Sequence, residues 1–511
     1  MIFGFITLVL LLAAWIAALW LLIAPDFTQL SLLQLAAIHL GPPLLLWTVW
    51  MVWRRIRKNK ADSIAAEQEK LAEKERQEKA EAARQKHEAE LLHLRYGCDC
   101  RALAMAQVMS AEDDDEPLVP EGEGISLSTA GKIEEEDEDE DVGERSSEQA
   151  LLEHLRPAIE EALTSIYLAC PAAAVFPIYI SPPAELSGKD VIASLRQTRV
   201  ELALELGLPF KAESEFNRVL FLPTADSVAG SIIGLFEANP ELHAAIILAF
   251  DSPAKRSQTQ ELEEDWEQSA VQAKQRQLHG QPGQGVVALF MTREQLPEML
   301  GTAPRNTGQY DALTPYWEKA PAATGSAAYF EHLSEDDREA LQSAPVLARI
   351  HRATGIQLGA KQLRSMEMAR VIEGLLKQAQ ICAALIEPPI ESPEPNAKGS
   401  AATATDSSKV KAADCHWLVH NAGGVDHAGL RLSALGVAMF SQAIELDPIA
   451  EATNVTIKAG DLGQARGVAM LALTIARAAS GGAAALCAEF TGNAENAGIT
   501  LSFAVAPQGE A

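Results

Sequence analysis

The sequence is short of basic charge, of paired cysteines and of nucleotide-binding turns, and each shortage removes a class of function. Only 42 Lys and Arg stand against 70 Asp and Glu, a formal net charge of -28. No basic surface dominates, which argues against a nucleic-acid partner. The six cysteines, Cys98, Cys100, Cys170, Cys382, Cys415 and Cys487, are scattered, and only the first two lie close, in "YGCDC". A zinc ribbon needs a second such pair, so these read as reduced thiols and no metal is expected. No GxxxxGK[ST] loop and no Rossmann fingerprint occurs, and no cofactor is expected.

Charge is missing from two long runs near the start. Residues 2–24, "IFGFITLVLLLAAWIAALWLLIA", have none, and residues 32–53, "LLQLAAIHLGPPLLLWTVWMVW", carry only what His39 binds. Each matches the ~20 apolar residues that cross a bilayer. The short connection makes them an antiparallel hairpin, and the absence of a basic leader argues against a cleaved signal peptide. "RRIRKNK" follows Trp53 whereas the connecting loop has no Lys or Arg. The positive-inside rule then sets both termini and the bulk of the chain in the cytoplasm, with residues 2–53 in the inner (plasma) membrane. Gln34, His39 and the Gly41-Pro42-Pro43 break read as helix packing at a kink, with neighbouring groups satisfying the carbonyls that proline frees.

The division expected is a transmembrane helical hairpin over 1–55, a basic then charged helical stalk over 56–110, an acidic disordered linker over 111–149, and a cytoplasmic domain over 150–511. The stalk is rich in Ala, Glu, Lys and Gln and lacks proline from Ala61 to Met109, so it reads as helix. It is a solvated helix or a partial coiled coil, because few large apolar residues mark a seam. "EEEDEDED", Glu134–Asp141, repels itself and has nothing to bury, and no EF-hand spacing makes it a cation site. A second low-complexity stretch, 387–414, reads as a surface insertion.

From residue 150 onward apolar strand candidates alternate with helical runs. The strands are "FPIYI", "RVLFL", "AAIILAF", "GVVALFM", "HWLVH" and "ITLSFAV"; the helices include Val228–Ala238, Ala360–Leu385 and Gly463–Ala479. That alternation predicts an α/β architecture in two halves, roughly 150–300 and 340–511.

Three turns between these elements resemble the β-ketoacyl synthase branch of the thiolase superfamily. "LVHNAGGVDHAGLRLSALGVAM" is similar to the family's strand, histidine, turn and helix, with His420 at the first catalytic histidine, Gly423 at a turn glycine, and Ala422 and Gly424 at the two turn threonines. "NVTIKAGDLGQARGVAMLALTIARAA" resembles the second histidine turn, where Asp461 follows Gly460 in the histidine's place. "LPTADSVAGSIIGLFEA" resembles the nucleophile elbow, with Asp226 at the cysteine and Ser227 beside it. The resemblance implies a thiolase-like fold of duplicated α/β/α layers and pairing through a sheet edge, hence a homodimer or a partner protein. It also implies acyl-CoA or an acyl carrier as ligand, with Gly423, Gly424 and Gly460 lining the site.

The chemistry does not carry over with the fold. The family's reaction needs a thiolate and two imidazoles, and here one imidazole is left. Asp226 and Asp461 are suited to starting helices, and their charge opposes an oxyanion in the same pocket. Ser227 with His420 lacks a G-x-S-x-G elbow, and adjacent Cys415 and His416 on one strand point to opposite faces. The expectation is a non-catalytic thiolase-like scaffold or recruiting component of a membrane-associated assembly. The alternative is a divergent acyltransferase or hydrolase, or an acyl-ligand sensor, that uses His420 with Ser227 or Asp226.

Overall fold

The computed structural model describes residues 2–22, 31–109, 118, 122–130, 147–210, 217–260, 280–294, 333–359, 364–388, 415–491 and 497–507. The acidic block and nearly all of the 387–414 insertion lie outside the described residues. The chain divides into two units, Met1–Ala89 and Glu90–Ala511.

The first unit holds α1 (Ile2–Leu22) and most of α2 (Leu32–Leu94), which runs through Pro42 and Pro43 without a break. Proline has no N–H, so Pro42 leaves the Ile38 carbonyl, four residues earlier, without its helical donor. The Trp15 indole of α1 donates to that carbonyl at 3.0 Å, which satisfies the group as the sequence leads one to expect. Where charge begins, the Arg54 guanidinium lies 5.3 Å from the Trp50 ring and Arg57 3.8 Å from Trp53. Among the residues searched, those described, no helix is long and apolar enough to cross a membrane. The transmembrane hairpin therefore gains no support from the structure.

In the second unit the helix expected to continue to Met109 stops at Leu94, and Gly97–Met109 forms β1. Its Ala, Met and Leu content favours helix locally, but tertiary pairing overrides that preference. β1 lies between β6 (Gly285–Arg293) and β7 (Ala348–His351), antiparallel to both, and pairs in parallel with β2 (Ile125–Ala130). The stretch expected as a linker thus contains a strand.

The remaining strands are β3 (Ile178–Ser181), β4 (Val219–Phe221), β5 (Ala244–Asp251), β8 (Thr354–Gly359), β9 (Cys415–His420), β10 (Ala452–Asn454), β11 (Ala484–Thr491) and β12 (Ala497–Val505). One sheet runs in the order β10-β9-β11-β12-β7-β1-β6-β5-β3-β4. The fold is mixed α/β. The helices that cover it are α3 (Ser147–Ala169), α4 (Gly188–Glu205), α5 (Val228–Ala238), α6 (Pro253–Gln260), α7 (Glu335–Ser343), α8 (Ser365–Cys382), α9 (Val425–Ser441), the single turn α10 (Val455–Lys458) and α11 (Arg466–Gly481).

Three apolar cores define the layers. Ile247, Leu289, Val419 and Cys487 on the inner sheet face pack with Ile232 and Phe236 of α5 and Met470 and Leu473 of α11. On the opposite face of one half, Ile246, Leu248 and Phe290 pack with Leu163 and Tyr167 of α3 and Leu195 of α4. On that of the other half, Leu418, Leu486 and Phe503 pack with Ile372 of α8 and Leu435 of α9. The alternation of neighbours such as Ile246 and Ile247, or Leu418 and Val419, is the two-residue period of a strand buried on both sides. Two helix-flanked half-sheets therefore share the α5/α11 layer. The buried guanidinium of Arg199 donates to the Ala174 and Phe176 carbonyls and lies 4.8 Å from the Phe210 ring.

Candidate functional site

The turn that leads into α5 is built on serine hydroxyls. Ser227 is the N-cap, its Oγ accepting from the Gly230 N–H at 3.0 Å, while Ser231 Oγ accepts from the Ala225 N–H at 3.0 Å. Asp226, expected to cap this helix, is exposed and precedes the cap. A shorter side chain reaches the N–H groups from the N-cap position itself, so Ser227 takes the role.

His420 ends β9, where the face it presents is set by a bulge. The β9/β11 register slips between Ala484 and Ala485, leaving Cys415 and Trp417 opposite consecutive residues, with His416 as the extra one. Cys415 and Leu418 then belong to the α8/α9 core, Trp417 and Val419 to the α5/α11 core. By the same alternation His420 faces α9, away from the layer that holds α5. Burial holds the Cys415 thiol up at about 12, and His416 Nδ1 lies 3.1 Å from the Ala484 carbonyl. These two form no dyad.

The His420 ring is buried, and a backbone N–H engages one of its nitrogens. Nδ1 accepts from the Ala422 N–H at 3.3 Å, so the proton of the neutral ring is on Nε2. Burial lowers the ring's pKa to about 4. His420 lines a cavity of about 630 Å³ between α9 and the 448–458 segment.

The other expected site residues serve the backbone. Gly423 has φ +102°, and its carbonyl accepts from Asn454 Nδ2 at 3.0 Å. Gly424 is the N-cap of α9, and its carbonyl takes the Ala428 N–H at 2.9 Å. Gly460 has φ +71°, and a Cβ there would meet the Gln281 carbonyl at 2.4 Å, so chain already fills the space a ligand would need. Asp461 exchanges backbone bonds with Gln281 and Gly283, and its Oδ1 accepts from the Gly463 N–H at 3.0 Å. It therefore ties the chain ahead of the Gly463–Ala465 turn, whose N-cap is Leu462, and the N-cap of α11 is Ala465.

Asp226, Ser227 and Asp461 border the shared α5/α11 layer: a Cβ on Gly467 of α11 would meet Val228 of α5 at 2.6 Å. His420, Gly423 and Asn454 gather on the other side of β9. The structure groups the expected residues in two sets.

Asp251, read from the sequence as a strand end that fits the family pattern and not as a site residue, closes β5; it is buried and accepts from the Ser252 N–H at 2.7 Å, the Gln464 N–H at 2.8 Å and the Arg256 guanidinium at 3.1 Å. Burial raises its pKa against those bonds. Gly463 at φ +53° leaves room for it, since a Cβ would meet Asp251 Oδ2 at 2.0 Å. The signal in the sequence was an acid closing an otherwise apolar strand.

No family profile and no curated protein matches the chain. Solved structures similar to it include OleA and ketosynthase domains. A point variant of OleA from Xanthomonas campestris is similar at 11% identity and a TM-score of 0.40, over 80% of this chain and 98% of that one. The oxazolomycin ketosynthase domain OzmH KS8 of Streptomyces albus JA3453 is similar at 9% identity and a TM-score of 0.38, over 81% and 97%. The ishigamide ketosynthase/chain length factor follows at 9% identity and 0.31, over 65% and 74%. Likeness at this level assigns no activity, ligand or residue role.

Proposed function

We propose that the chain is a membrane-anchored, non-catalytic thiolase-like protein that acts by contact, as a scaffold or recruiting component of a membrane-associated assembly. The observation that carries this reading is the state of His420. Its acceptor nitrogen is taken by one backbone N–H, and the ring lies with residues of α9 rather than at the α5 turn. A general base must reach the proton it removes, and Ser227, the hydroxyl beside the nucleophile position, is committed to its cap.

Support for an anchor comes from the sequence: α1 is 21 residues without charge, about 31 Å at 1.5 Å per residue. The arginines stacked on Trp50 and Trp53 suit the margin of a bilayer. On this reading residues 2–53 lie in the inner membrane and the rest of the chain in the cytoplasm. The edge strand β4, with Leu220 and Phe221 exposed, is the surface proposed for a second copy or a partner protein.

The test is the full chain in phosphatidylcholine nanodiscs, incubated with acyl-CoA while binding and CoA release are followed. No release above a protein-free control is expected. Release that His420→Ala abolishes would defeat the contact role and favour an acyltransferase or hydrolase. Extraction from cell membranes by alkaline carbonate would sink the anchor.

A further inference from the structure

Helix α9 turns an apolar, almost uncharged face to solvent. Leu430, Ser433, Val437 and Phe440 recur at intervals of three and four residues, so they form one stripe, and all four are exposed. From Ala428 to Ser441 the one charged side chain is that of Arg431, and it is turned inward, donating to the Ala422 carbonyl at 3.1 Å and lying 5.2 Å from the Phe490 ring. The 448–458 segment brings Ile449 to the same cavity, and this side chain is 77% exposed. A turn holds it out, in which Asp447 Oδ1 accepts from the Ile449 and Ala450 N–H groups at 2.8 and 3.2 Å. Between the two walls lies the groove of about 630 Å³, lined mostly by aliphatic groups such as Leu432, Val437 and Pro448.

Three features select what fits there. The stripe and Ile449 expose roughly 400–500 Å² of apolar surface, about half of the ~800 Å² that each partner gives a standard interface, so the patch suits one element rather than a second copy of the chain. Its main wall is a helix, whose backbone groups are already paired, so an extended peptide finds no edge to bond. The occupant has to satisfy its own backbone, as a helix does, and the stripe is about 15 Å long, close to three helical turns. The third feature is charge. Glu445, Asp447 and Glu451 are exposed beside the lining residues Pro448, Ile449 and Ala452, while Lys458 on the wall already has a partner. This acidic rim repels a second copy, which carries the same acids and the same net charge of -28, and it repels an anionic lipid surface.

We propose that the groove docks an amphipathic helix of a partner protein, its aliphatic face against α9 and Ile449, with Lys or Arg along the edge that meets Glu445, Asp447 and Glu451. Such a partner deepens the contact role and rests on it. The surface lies at the β10 end of the sheet, opposite the β4 edge.

The experiment uses the full chain in phosphatidylcholine nanodiscs and a short amphipathic helical peptide of leucine and lysine that carries photo-leucine, with cross-links mapped by mass spectrometry. Cross-links are expected in segments 429–440 and 445–452. Ile449→Asp removes an apolar contact and should lower cross-linking about tenfold. Were net charge alone the attraction, the added carboxylate would raise it. Phe440→Ser should act in the same direction as Ile449→Asp. Glu445→Lys, which spares the Asp447 and Glu451 carboxylates that hold the turn, should lower cross-linking about threefold at low salt. The same peptide with glutamate for each lysine should cross-link about tenfold less. All three substitutions are at exposed positions, so melting temperatures should match the parent. Cross-links spread over the chain, or unmoved by Ile449→Asp and Phe440→Ser, overturn the groove; equal labelling by the glutamate peptide overturns the basic partner. A parent that sediments as a dimer and that Phe440→Ser returns to monomer overturns the partner helix in favour of a second copy. CoA release in the same samples would overturn the non-catalytic reading while leaving the cross-linking result standing.

Discussion

Lowering the pH from 7.5 to 5.5 should destabilise the Glu90–Ala511 unit, and His420 should account for a definable share. Its folded pKa of about 4 lies below the 6.5 of an unperturbed imidazole. A histidine shifted down folds in its neutral form. Its contribution is complete above the unfolded pKa, shrinks as pH falls through 6.5, and levels off below 4. With those two values the loss is about 1.4 kcal/mol at pH 5.5 and about 2 kcal/mol at pH 5. His351, buried and also lowered to about 4 by burial and then by the Arg349 charge, should lose a similar amount. Asp251 and Glu489 run the other way: burial raises both, so they gain stability as pH falls. The informative quantity is therefore the difference between parent and variant. His420→Gln keeps an acceptor for the Ala422 N–H while removing the titration. Urea unfolding of both proteins from pH 7.5 to 5.5 should show the parent losing about 1.4 kcal/mol more than the variant. Parallel curves over that range would refute the buried, neutral imidazole and the site reading built on it.

Other outcomes follow from single contacts. Trp15→Phe should weaken association of α1 with α2 by roughly 0.6–1.7 kcal/mol, and Pro42→Ala, which restores the helical donor to the Ile38 carbonyl, should remove most of that cost in a double-mutant cycle. Ser227→Ala should cost about 1 kcal/mol in denaturant unfolding through loss of the α5 cap, with CoA release unchanged from background. Gly463→Ala combines positive φ with a collision against the buried Asp251 carboxylate, and should lower stability by roughly 3 kcal/mol in the same assay. Phe221→Lys on the β4 edge should shift the chain toward monomer in sedimentation if that edge joins two copies.

Much of the fold was legible residue by residue. "AAIILAFD" and "GVVALFMTR" are runs buried on both faces, and a central strand can hardly be written otherwise. Helix α5 has the bounds its pattern predicts, 228–238, because a serine cap and an asparagine close it locally. The carbonyl freed by Pro42 was foreseeable from the missing N–H alone. "GCDCRALAMAQVM" misled because nothing local tells helix from strand in it. Its alanines face α3 across β1, where small side chains admit the helix, and its cysteines face the α5/α11 layer; neither neighbour is visible in the sequence.

The turns around the candidate site show where sequence stops being sufficient. Residue identities alone put Asp226 and Asp461 at the two turn positions where the resemblance places a thiol and a second imidazole. Which side of the sheet His420 faces was decided by one extra residue in β9, because a bulge reverses the alternation and is set by pairing with β11. Tertiary structure likewise gave the cap to Ser227 rather than Asp226, and left the Asn454 carbonyl buried beside an open cavity. Periodicity is a property of the chain; phase is fixed by what packs against it.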